Sequence, residues 1–163
     1  MKTLAALTRR HLLASTPVAG AAILTACSAV TVSQVAQYAT VVENAAADVL
    51  TAVAPAASIS AATVTTVTGY LTVAKTAAAA IINGAPAAGA SWEQQLYDAI
   101  KAVLPIAAPL LSVVPGVGLG LAALQAVLPI VASWLGLTGA APTVAVAGIP
   151  AMTAAQALRL YGP

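Results

Sequence analysis

Apolar residues recur at intervals of three and four along most of this chain, the spacing that collects them on one side of an α-helix. After Thr31-Val32-Ser33-Gln34, which has capping-box spacing, Val35, Tyr38, Val42, Ala46, Val49 and Val53 follow that rule and predict a helix ending near Pro55. From Ser60 the pattern resumes through Val64, Val67, Leu71, Ala74, Ala78 and Ile81, with Asn83-Gly84 as a stop signal. Gly69 inside this second helix costs about 1 kcal/mol relative to Ala. Ser91 opens another capping box with Gln94; Trp92, Leu96, Ala99 and Val103 share one face, and Glu93, Gln95, Asp98 and Lys101 point elsewhere.

Beyond Lys101 no charged residue occurs before Arg159, and Val103 to Leu137 is almost wholly apolar. Val114-Pro115-Gly116-Val117-Gly118 interrupts this run, Pro-Gly suiting the corners of a type II turn. Leu119 to Leu135 is then apolar nearly all round, relieved by Gln125 and Ser133, so such a helix is either fully buried or in lipid. Proline removes a backbone hydrogen bond inside a helix, which predicts kinks or breaks near Pro105, Pro109 and Pro129. Thr143 to Ala147 reads as a short extended segment, and Thr153 with Gln156 caps a last short helix carrying Leu158, Arg159 and Leu160.

An internal repeat organises these elements. Glu43, Asp48 and Pro55 line up with Glu93, Asp98 and Pro105 at a constant offset of 50 residues, and Gly84-Ala85-Pro86 closes the first unit as Gly139-Ala140-Ala141-Pro142 closes the second. Each unit reads helix, proline, helix. The expected fold is therefore all-α: two tandem helical hairpins, about 31–86 and about 91–142, forming a four-helix bundle, with a C-terminal strap over 143–163 that includes the short helix. Residues 27–163 would form one domain, burying roughly two-thirds of the surface that its unfolded chain exposes.

The residues ahead of that domain have a different character. Lys2, Arg9 and Arg10 precede an apolar stretch from about Leu12 to Leu24, broken by Pro17 and Gly20, and small residues lead to Cys27. The order is that of a secretory signal, and about 13 apolar residues fall short of the roughly 20 needed to span a bilayer core. Leu24-Thr25-Ala26-Cys27 resembles the lipobox of bacterial lipoproteins. That resemblance implies acylation of the Cys27 sulfur, cleavage after Ala26 so that 1–26 is removed, and a mature chain held to membrane lipid through Cys27. Thr8-Arg9-Arg10-His11-Leu12-Leu13 is similar to a twin-arginine export signal, with Leu12 where that pattern often has Phe and Ala14 where it often has Lys. Any secretory leader also needs a positive start, and both routes lead to the bacterial cell envelope. Ser28, rather than Asp, after the cysteine resembles sorting to the outer membrane.

Removing the leader reverses the apparent basicity. The full chain of 163 residues has a formal net charge of +2, but the mature part keeps Lys75, Lys101 and Arg159 against Glu43, Asp48, Glu93 and Asp98, a net charge of −1. It has no clustered basic residues to meet nucleic-acid phosphates, which argues against nucleic acid as a partner. The single cysteine is taken by the lipobox, so no disulfide is expected even in an oxidising compartment.

The inventory for catalysis is equally spare. The only histidine, His11, leaves with the leader, which removes Ser-His, Cys-His and common zinc arrangements. Lys75 and Lys101 lack the local serine spacing of known Ser-Lys motifs. Glu43 and Glu93 occupy equivalent places and could meet across a bundle. Five residues turn a helix by about 140°, however, so Glu43 and Asp48 do not share a face, and the Glu-x-x-His of di-metal bundles is absent. No catalytic residue, metal or cofactor is expected. Tyr38, Tyr70, Trp92, Tyr97, Trp134 and Tyr161 remain as candidates for ligand contact, with core or bundle-end packing as their ordinary role. Thr63, Thr65, Thr66, Thr68, Thr72 and Thr76 do not fall at one helical spacing and read as a solvated helix surface.

The sequence thus points to a non-catalytic, lipid-anchored helical protein of the periplasm or outer membrane, meeting a protein partner or a second copy through apolar helix faces. The rival expectation is a membrane-inserting, pore-forming or holin-like protein using 103–137. Gly116 to Leu137, about 22 residues, is long enough to span, but no Lys or Arg flanks its ends. Gly116 and Gly120 have the spacing of closely packed membrane helices, though beside a turn such a pair reads as turn chemistry.

Overall fold

The computed structural model describes residues 31–84, 91–137 and 146–163. The fold is all-helical. Its elements are α1 (Val32–Val53), α2 (Ala61–Ile82), α3 (Trp92–Ala107), a 3₁₀ segment (Ala108–Ser112), α4 (Val117–Trp134) and α5 (Ala154–Tyr161). α1 packs on α2, α2 on α3, α3 on α4, and α4 returns to α1, whereas diagonal pairs do not touch. Short links between packed neighbours make this an antiparallel four-helix bundle. The short α5 lies across α1 and α4.

Local chemistry sets the helix ends. Ser60 accepts a hydrogen bond from the Thr63 backbone N–H and caps α2, which stops at Asn83, followed by Gly84 at φ 61°. Ser91 caps α3 in the same way through the Gln94 N–H. The expected reciprocal bond is not made there: the Gln94 amide reaches forward to both carboxylate oxygens of Asp98 at 3.0 Å, a charged acceptor four residues on. α5 carries the full capping box, with Thr153 Oγ1 on the Gln156 N–H and Gln156 Oε1 accepting from the Thr153 N–H at 2.8 Å.

Neither Pro105 nor Pro129 ends its helix: α3 runs through the first and α4 through the second. Both rings are exposed, so the carbonyls they leave without a donor, at Lys101 and Gln125, lie on the wet side of their helices. Pro109 behaves as expected: α3 gives way at Ala107 to the 3₁₀ segment, which has proline near its start. Gly116, at φ 93° and ψ −22°, supplies the left-handed corner before α4, close to the third position of a type II turn. Of the expected extended segment Thr143 to Ala147, only Val146 and Ala147 are described, and they are not in a strand.

The core consists of Ala, Val, Leu and Ile side chains with Tyr97, and among the described residues no polar or charged side chain besides that tyrosine is buried. Val42, Ala46, Val49 and Val53 point inward as the periodicity of α1 requires, whereas Val35 and Tyr38 are only half-buried. Their place is taken by Ala39, Val41 and Ala45, because α1 faces α2, α4 and α5 and so buries a wider stripe than one period marks. Some positions fifty residues apart share their environment, Ala46 and Leu96, Val49 and Ala99, and Val53 and Val103 being buried and Asp48 and Asp98 exposed, whereas Val42 and Trp92, Ala47 and Tyr97, and Leu50 and Ile100 differ.

α4 is the helix the bundle is built around. Gly120, Leu121, Ala122, Ala123 and Leu124 are buried in succession, covering every direction around the helix axis. That is possible only because α1, α3 and α5 all pack on it. Val117–Trp134 is the one described helix long and apolar enough to cross a membrane, and 56% of it is buried inside the bundle. Gly116 and Gly120 turn out to do different work. Gly116 forms the turn, while Gly120 lets α4 approach α1 so closely that an added Cβ would lie 2.5 Å from Val49 Cγ2 and 3.0 Å from the Ala45 carbonyl oxygen.

Candidate functional site

Every residue that the sequence singles out for export and lipidation, namely Arg9, Arg10, Leu24, Thr25, Ala26 and Cys27, lies outside the described residues. What the structure does place is the chemistry of the remaining chain, and most of it is dispersed. Glu43 is half-buried near the middle of α1 and Glu93 sits in the first turn of α3. Among the described residues, no three of Asp, Glu, His and Cys come together as metal ligands. Lys101 stands over the ring of Tyr97, 5.9 Å from its centre, a cation–π contact at the surface of α3.

The threonines of α2 lie on the helix surface, with Thr65, Thr66, Thr72 and Thr76 exposed. Thr65, Thr66 and Thr72 donate their hydroxyls to the carbonyls of Ala61, Ala62 and Thr68, one turn back in the same helix. Each hydroxyl thereby uses its proton within the helix and keeps its acceptor lone pairs for water. The aromatic candidates also separate. Tyr97 is core, Tyr38 packs against the core edge, and Tyr70 is exposed on α2. Trp92 opens α3 and Trp134 closes α4, so these antiparallel neighbours carry both indoles at one end of the bundle. The two indole N–H groups are buried with no hydrogen-bond partner, as is Gln125 Oε1.

Polar groups distant in sequence do converge at the seam where α5 meets α1. Tyr161 donates its hydroxyl to Asp48 Oδ2 at 2.9 Å, and the Asn44 side-chain amide donates to the Tyr161 backbone carbonyl at 2.8 Å. The second bond satisfies one of the carbonyls that a helix C-terminus leaves open. Partial burial, reinforced by the Asp48 hydrogen bond and charge, pushes the Tyr161 phenol up to about 12. On the opposite side of α5 an open groove of about 340 Å³ runs between Leu119 of α4 and Ala151, Met152, Gln156, Arg159 and Leu160. Leu119 is 52% exposed and Leu160 59%, so the walls are apolar and wet.

Sequence reasoning assigned 143–163 to a strap without identifying this seam. Its bonds join residues more than a hundred positions apart, and only the Thr153–Gln156 box and the isolated Arg159 marked the region beforehand. Compared with known protein families, with curated proteins and with solved structures, the chain has no match.

Proposed function

We propose that the protein is an exported lipoprotein of the bacterial cell envelope, in which acyl chains on Cys27 tether a small helical bundle to the membrane surface as a non-catalytic interaction module. The observation that carries this reading is Leu24-Thr25-Ala26-Cys27 placed directly after a basic start and an apolar stretch too short to span. Modification on both sulfur and amine gives the two chains that stable anchoring requires. Outer-membrane placement rests on Ser28.

The packing of α4 supports tethering over insertion. Its apolar circumference has protein partners on three sides, and drawing 103–137 into a bilayer would strip α1 and α3 of the surface they bury against it. Protein partners, or a second copy, would be met through the charge-poor outer faces. The outer face of α2 exposes Tyr70 and Val73 beside its threonines, with Lys75 as the one charge of that helix.

Fractionation with the Cys27→Ala variant tests the proposal. The wild-type chain should sediment with membranes and the variant should appear in the soluble periplasmic fraction. A variant that stays with the bilayer after a carbonate wash would overturn tethering in favour of insertion.

A further inference from the structure

We propose that the groove between α4 and α5 binds a single-chain anionic amphiphile, a medium-chain fatty-acid carboxylate, with the hydrocarbon chain between Leu119, Met152 and Leu160 and the head against Arg159 and Gln156. This goes beyond membrane tethering and does not depend on Cys27.

Arg159 is the only charged residue after Lys101, and among the described residues it pairs with no carboxylate. It stands on the groove wall, three residues from Gln156 and so on the same side of α5. The capping box consumes the Gln156 carbonyl, which accepts from both the Thr153 N–H and, at 3.0 Å, the Thr153 hydroxyl. Only the amide NH₂ of Gln156 is left to face outward. The polar rim therefore offers hydrogen-bond donors and a positive charge, with no acidic group, which is the complement of a carboxylate.

The rest of the groove is apolar. Leu119 and Leu160 expose hydrocarbon to water, and the half-buried Met152, packed against the core edge, completes the wall with a side chain suited to fitting a chain of variable shape. A volume of about 340 Å³ lies at the small end of ligand sites, roughly 300–1,000 Å³. That matches one short acyl chain and is too small for a two-chain lipid. The capping box and the Tyr161–Asp48 and Asn44–Tyr161 bonds hold α5 in place, so the wall that carries Arg159 is formed before any ligand arrives.

The test uses the full chain carrying Cys27→Ala, so that no covalent lipid competes, and titrates it with decanoate and with decanol below their micellar or solubility limits. Decanoate should bind one per chain, with affinity rising about threefold for each methylene added from octanoate upward, and decanol should bind at least tenfold more weakly. Arg159→Gln should weaken decanoate about tenfold or more and remove its advantage over decanol. Leu119→Ser, on an exposed position that leaves the core intact, should weaken both ligands alike. Equal binding of decanoate and decanol to the unsubstituted groove, or an Arg159→Gln variant with unchanged decanoate affinity, would overturn the proposal. So would binding to vesicles containing phosphatidylglycerol without binding to monomeric decanoate, which would identify a membrane surface as the occupant.

Discussion

Replacing Gly120 by alanine tests the packing of α4 more sharply than any large truncation, because the same substitution at Gly69 should have the opposite sign. Alanine is normally favoured over glycine within a helix by about 1 kcal/mol. At Gly69 a new Cβ meets nothing within 4 Å, so Gly69→Ala should realise most of that gain, about 0.5–1 kcal/mol. At Gly120 the Cβ would lie 2.5 Å from Val49 Cγ2 and 3.0 Å from the Ala45 carbonyl oxygen. Val49 is fully buried and β-branched, so it has no alternative rotamer to move into, and the carbonyl belongs to the backbone of α1. Relieving the overlap requires α1 and α4 to move apart, at an overpacking cost of about 1–3 kcal/mol. Set against the propensity gain, Gly120→Ala should lose about 1–2 kcal/mol. For a chain of this size the two variants should then differ in Tm by roughly 4–8 °C. Urea unfolding followed by far-ultraviolet circular dichroism would read both, with unchanged m-values showing that stability alone has shifted. If Gly120→Ala stabilises the protein as much as Gly69→Ala, α4 does not pack on α1 as described and the bundle is wrongly assembled.

Three further outcomes follow from particular contacts. Leu124→Ala, at a fully buried position of α4, should cost about 2–5 kcal/mol through the cavity it leaves, measured as a drop in urea midpoint. Thr153→Ala removes the hydroxyl that caps the Gln156 N–H, leaving the Thr153 N–H to Gln156 Oε1 half of the box, and should cost about 1 kcal/mol, with faster amide exchange confined to α5. Tyr161 titrates near 12, above its ordinary value of 10, so its contribution to stability is intact below pH 10 and is lost as pH climbs from 10 toward 12. Tyr161→Phe should remove the phenol that titrates near 12 from the absorbance curve and flatten that decline, at a cost below about 1 kcal/mol at neutral pH because the bond is at the surface.

The helices were legible in the sequence wherever local chemistry decides them. Ser60, Asn83-Gly84, Ser91 and Thr153 with Gln156 mark ends that backbone hydrogen bonding requires whatever the tertiary structure. At Pro105 and Pro129 the choice between a kink and a break was not legible, because the cost of a proline depends on whether the freed carbonyl meets water or protein, and the sequence alone does not state which side of the helix is wet. Alanine hid part of the core. Ala39 and Ala45 are fully buried, but a residue equally at home in water and in a helix interface carries little periodic signal. Gln94 prefers Asp98 to its own cap, a competition between two local partners that spacing alone could not rank. The groove was invisible because Leu119 and Arg159 are brought together only by the docking of α5.

The central claim is that Cys27 becomes the acylated first residue of the mature protein, and intact-mass spectrometry of material purified from membranes of the native host tests it most directly. The account predicts a chain that begins at Cys27 and is heavier than its polypeptide mass by the acyl groups. A chain that begins at Met1 with a free thiol would contradict it.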